Sequence, residues 1–480
     1  MEIPKQMQLR GKGEDRAGEQ KTKGEEKITA FYFVGAGLFE REQSGGFEVP
    51  FITCRLEPLA SKTAPQAQKN CFDKAEVKGL SGGILVATRL HSAVVEWLSL
   101  ATNELVLRQL ELHGLGHIQE LALAIPEEDL LAVLLTSKPL SENDGTVKLC
   151  FYKMSTQSAH RMAREPVIQV SIPMGRILNF EMDICGSKIA LLVTYPAGVM
   201  SLVLIYDWKE GRLLLEIPGS HSAVTFLSPD VLLLVQIPTG TLELWTIQDN
   251  VPEGTVGPEM SLKLPRLANP THMYAIFGAD ANPKGRGSPS SQEPFDSSFI
   301  DSIVVFQLFI LGDDDNGSGA EMFLVLSRRA LLQLLPPDEK EVSWREWGPP
   351  ICHWLEKNAT NTWSPTVCGQ RFAFAGPSLR NIRLLDFNPY THSKLARNQR
   401  DATGEEPTVC TASGENIQMV GDLTSALFGE EVCSQLGCVV ADFPAETDYN
   451  AVSIDGKWIV GIKDTSDADR KVSFDVWHLE

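Results

Sequence analysis

Residues 199–219 read VMSLVLIYDWKEGRLLLEIPG. An apolar, β-prone run ends at Tyr206, Asp207 and Trp208, and a short polar turn containing Gly211 follows. A second apolar run over 213–217 is closed by Pro218 and Gly219. Two strands joined by a tight loop is the simplest reading, because glycine supplies the positive φ that such a turn needs. The first strand is apolar on both alternating faces, with Leu202, Leu204 and Tyr206 on one and Val203 and Ile205 on the other. A strand of that kind must be covered on both sides, so its sheet lies between other sheets.

A β-run, an aromatic, an Asp, a turn and a second run form the third-to-fourth strand unit of a WD-type propeller blade. Working outward, the pattern recurs. Residues 84–112 place Trp97 where Tyr206 stands, TVKLCFYKM places Tyr152 there, and GTLELWTIQ places Trp245. RLLDFNP repeats the aromatic-flanked acid as Leu385-Asp386-Phe387, and KVSFDVWHLE carries Trp477. EMFLVLSRRALLQLL, near Leu326, matches more weakly. One marker per blade predicts seven blades, with six as the alternative. Regular arrays repeat every ~40–45 residues. The uneven spacing here predicts a divergent ring with long insertions.

Inner strands are expected at 130–136, 188–194, 231–237, 302–310, 371–375 and 458–463. Short β-rich runs punctuated by Gly, Pro, Asn and Asp, with no long amphipathic helix, argue for an all-β class. The expectation is a single divergent WD-repeat-like β-propeller over 28–480, with loop insertions at 278–298 and 391–435. Residues 1–27, rich in Lys, Glu, Gln and Gly, are expected to be a disordered polar tail. Residues 471–479 are expected to supply a strand that closes the ring beside strands from near the start, which removes exposed sheet edges.

Hydrophobic residues make up 43% of the chain and charged ones 22%, enough apolar content for a sizeable core. Lys+Arg 43 against Asp+Glu 62 leaves a net charge of −19. An acidic surface repels phosphate backbones and anionic membranes, so neither nucleic acid nor lipid is the expected partner; basic proteins are. No apolar run approaches the ~20 residues that span a bilayer. Nine cysteines include no CxxC pair, and most lie in apolar runs, as Cys150 and Cys185 do. Reduced thiols packing as small hydrophobes suit a cytoplasmic or nuclear setting. No secretory signal pattern opens the sequence, so the sequons at Asn316 and Asn358 carry little weight.

Candidate chemistry is sparse. VGAGLF (34–39) lacks the full spacing and following helix of a phosphate loop. GDDDNGSG (312–319) resembles a calcium loop only loosely, since Gly317 stands at the fifth position. His113 and His117 are four apart, but intervening glycines oppose the helix that would put them on one face. Cys352 and His353 are adjacent, which is not a chelating spacing. The pairs Glu127-Glu128, Glu405-Glu406 and Glu430-Glu431 read as solvated loop charge. Asp207 and Asp386, at strand ends beside turns, are expected to accept backbone N–H bonds, and the marker aromatics to pack between blades. No catalytic, cofactor or metal residue is assigned. An alternative remains a propeller hydrolase whose acids converge on the central channel from distant blades.

The Asp-Trp-x-x-Gly turn at 207–211, the entry Phe226-Leu227-x-x-Asp230 and the later Leu385 to Pro389 resemble a fungal group. These are the mushroom-type F-box proteins with a C-terminal WD-repeat-like propeller. The resemblance covers roughly residue 114 onward. It implies a propeller that holds the substrate of a cullin-type ubiquitin ligase, tethered through an F-box to the Skp adaptor. No Leu-Pro-x-Glu-led helical F-box run precedes the blades here. A non-catalytic protein-interaction platform is therefore the expectation, with a scaffold unrelated to ubiquitin as its alternative. Rigid blades suit that role, because loops can vary without disturbing the core.

Overall fold

Ser201–Asp207 and Arg212–Gly219 are strands, joined by a turn in which Gly211 has φ +73°. They pair antiparallel, Val203 opposite Ile217, with a bulge at Ile205/Tyr206. Asp207 Oδ1 accepts from the Lys209 and Glu210 N–H groups, both at 3.0 Å, as its position beside the turn predicts.

The computed structural model describes residues 56–58, 71–73, 75–89, 93–100, 107–112, 114–137, 146–172, 177, 179–195, 200–248, 257–269, 272–280, 299–311, 320–336, 339–356, 366–375, 381–391, 427–444, 449–464 and 471–479. The chain divides into Met1–Val49 and Pro50–Glu480. The second unit carries every element described below. The expected tail (1–27), the glycine-rich run at 34–39, the acidic turn at 312–319, Glu405-Glu406 and His113 lie outside the described residues.

Seven sheets, antiparallel except for one parallel segment added to the edge of the fourth, follow one another along the chain as the blades of a β-propeller. Blades 1 to 6 open with innermost strands Ala75–Ser81, His117–Ala124, Asn179–Cys185, His221–Ser228, Met273–Asp280 and Thr366–Cys368. Blade 7 runs Ala451–Asp455, Trp458–Asp464 and Lys471–Leu479, and its outer edge is supplied from near the start of the unit. Leu56–Pro58 and Cys71–Asp73 both pair with Lys471–Leu479, Leu56 opposite Leu479 and Cys71 opposite Ser473. The strand expected to close the ring does so. All seven markers (Trp97, Tyr152, Tyr206, Trp245, Leu326, Leu385 and Trp477) lie on the third strand of their blades. The runs expected to be inner strands are the second strands.

The core is distributed around the ring. Each seam between neighbouring blades holds its own cluster of buried apolar side chains: blades 1 and 2 around Trp97 and Leu131, 2 and 3 around Phe151 and Trp208, 3 and 4 around Ile205 and Phe226. The sequence of seams continues around Leu244 and Phe306, Phe323 and Phe372, and Ala373 and Ile459. The seventh cluster, with Leu85, Leu98, Val460 and Phe474, joins blade 7 to blade 1. This explains the doubly apolar strands: each faces a neighbour on both sides. Trp97, Tyr206 and Trp245 sit in these seams, as expected.

One expectation of the fold needs correction. The insertion at 278–298 begins later, because Gly278, Ala279 and Asp280 continue the strand Met273–Asp280 through a bulge at Phe277/Ala279; residues 281–298 lie outside the described set. The run near Leu326 departs from the blade pattern because strand Ala320–Ser327 passes directly into the helix Arg328–Gln333. Ser327 caps it, its hydroxyl accepting from the Ala330 N–H at 3.4 Å, and Arg, Ala, Leu and Gln favour helix. A second helix, Trp344–Ile351, precedes the outer strand of blade 5, Cys352–Glu356.

Candidate interaction surface

The innermost strands carry the polar groups that could meet in a channel site. Those of blades 1, 2, 4 and 5 each contain a bulge, at Lys78, Gln119, Ser222 and Gly278, a distortion that re-aims side chains. Lys78 donates to Glu76 at 3.0 Å. Burial pushes the Glu120 carboxyl above its ordinary range, opposed by Lys78 and by the Leu121 N–H, with Glu76 adding to the rise. Burial pulls the Lys78 ammonium down, but Glu120 and Glu76 outweigh it and hold it above its ordinary value. An ammonium between two carboxylates neutralises much of the charge that this corner would otherwise present.

Two further networks cross the seam between blades 3 and 4. Buried Asp183 accepts from Thr225 Oγ1 at 3.0 Å and from the Phe226 N–H at 2.8 Å, both on the next blade. His221 Nε2 meets Glu243 Oε2 at 3.2 Å, Trp245 Nε1 donates to the same oxygen at 3.0 Å, and the His221 N–H donates to Ser201 Oγ at 2.7 Å. Gly219 makes room for this imidazole, since a Cβ there would stand 2.3 Å from His221 Cε1. These residues join adjacent blades. Sequence reasoning missed them because each network draws on strands of two blades, and no local spacing announces it.

The residues singled out in the sequence fall in separate places. His117 begins the innermost strand of blade 2. Glu127 and Glu128 lie in a one-turn helix, Ile125–Glu128, rather than a loop. Glu128 is not merely solvated, because Lys209 of blade 3 meets it at 2.8 Å. Glu430 holds the N–H of Arg266 at 2.6 Å and Arg345 Nε at 3.3 Å. Asp386 accepts from the Asn388 N–H at 2.9 Å, as expected of it. His353 Nδ1 lies 2.8 Å from the Leu436 carbonyl, which can only accept, so that nitrogen carries the proton and Nε2 faces Cys438 Sγ at 3.9 Å. Burial lowers the His353 pKa, against the pull of that carbonyl bond, and burial pushes the Cys352 thiol up. Among the described residues no three of His, Cys, Asp and Glu are arranged to hold a metal, and no helix is long and apolar enough to cross a membrane.

The outer edges differ from blade to blade. On blade 4, Glu341–Val342 adds in parallel to Met260–Lys263, and Trp347 Nε1 donates to the Lys263 carbonyl at 2.8 Å. On blade 5, the end of the second expected insertion and the residue just beyond it lie along Cys352–Glu356: the Trp354 N–H donates to Ser434 Oγ at 2.9 Å, and the Leu436 N–H to the Cys352 carbonyl at 3.1 Å. Phe428 of that insertion bridges to Leu267 and packs edge-on against Trp354. Residues 427–435 are therefore built into the rim. The outer strands of blades 1 and 3, Leu107–Glu111 and Arg212–Gly219, have no further strand beside them among the described residues.

No family model matches this chain, and no curated protein does. Among solved structures it is similar to the WD40 repeats of RRP9, with a TM-score of 0.34 and 10% identity, over 89% of this chain and 100% of that one. The WD40 domain of SCAP from fission yeast gives a TM-score of 0.38 and 7% identity, over 88% and 98%. The PQQ-bound aldose sugar dehydrogenase of Streptomyces coelicolor gives 0.29 and 9%, over 66% and 93%. At these scores the likenesses assign no activity.

Proposed function

We propose that this protein is a non-catalytic platform that binds other proteins. The observation that carries the reading is the use of its buried polar groups. Asp183 and the half-buried Glu128–Lys209 pair bond across a seam between blades, and the His221–Glu243–Trp245 set within blade 4 is tied to blade 3 by the His221 N–H on Ser201. That leaves a rigid ring whose variable parts are connections and outer edges, the places where recognition can change without cost to the core.

Within this reading, a substrate-recognition propeller of a cullin-type ligase and a scaffold outside ubiquitin chemistry differ only in their partners. Affinity capture of the tagged full chain from native lysate, followed by reconstitution with each purified partner, separates them. A stoichiometric complex supports the platform, and Skp and cullin subunits within it support the ligase. Absence of any complex that can be reconstituted contradicts the platform. So does turnover of a hydrolase substrate panel that Glu120→Gln abolishes.

A further inference from the structure

We draw no further inference here: the strongest candidate, the Cys438–His353 side-chain pair where blade 5 meets blade 6, sets one buried cysteine against one imidazole with no third group placed among the described residues to complete a metal site, and belongs to the packing already described.

Discussion

Asp183 shows how one side chain holds two blades together. Its carboxylate accepts from Ile184 N–H within its own strand, and from Thr225 Oγ1 and Phe226 N–H across the seam. A buried donor left without an acceptor costs roughly 1–3 kcal/mol. Asp183→Ala, which strands the Phe226 N–H and the Thr225 hydroxyl, should therefore lower stability by about 2–3 kcal/mol, read as a shift in denaturant midpoint at constant slope. His353 gives a pH signature. Burial holds its pKa below the ordinary 6.5, so the unfolded chain takes up the proton first as the solution is acidified. Stability that is intact above pH 6.5 is then lost as pH falls toward the depressed value. His353→Gln should flatten this part of the stability–pH curve, and an unchanged slope would contradict the assignment.

Among elements, strands with a local signature were legible and those without one were not. The markers, aromatic on five blades and Leu326 and Leu385 on the other two, located every third strand, because a strand packed on both faces must be apolar throughout. The innermost strands were harder to see: Lys78, Glu120, Asp183 and Thr225 interrupt their apolar runs with groups whose partners stand on other blades. The helix Trp344–Ile351 was missed for a different reason. It contains Pro349 and Pro350, which read as a break, yet Trp344, Trp347 and Trp354 stack edge-on within the blade 4–5 seam. Truncation of such a buried Trp removes roughly 3–5 kcal/mol. Trp344→Ala should accordingly unfold the protein at markedly lower denaturant, while a surface change such as Tyr390→Ala should not. Truncation before Lys471 removes the strand that pairs with Trp458–Asp464, Leu56–Pro58 and Cys71–Asp73 at once. Light scattering should find that product aggregated; a monomer with an unchanged melting temperature would contradict the role given to that strand.

At the scale of the whole unit, seven seam clusters replace a single central core, and each is completed by the next blade. Stability is then bound to closure, since an open ring would expose one blade on each side of the gap. Six of these seams join blades that are neighbours in sequence. The seam of Leu85 and Leu98 with Val460 and Phe474 joins the first blade to the last, and no local sequence pattern could have announced it. It is also the seam beside which early strands complete the final sheet. The most direct measurement is disulfide trapping in the full chain carrying Leu56→Cys and Leu479→Cys, positions that face each other across adjacent strands. Paired strand residues place their Cα atoms about 4.5–5.5 Å apart, within reach of a disulfide. Closure predicts an intramolecular cross-link between the two introduced thiols on mild oxidation, identified by peptide mapping, with a monomer of unchanged hydrodynamic size. Failure to cross-link in a folded monomer, or cross-links formed only between molecules, would contradict the closed ring.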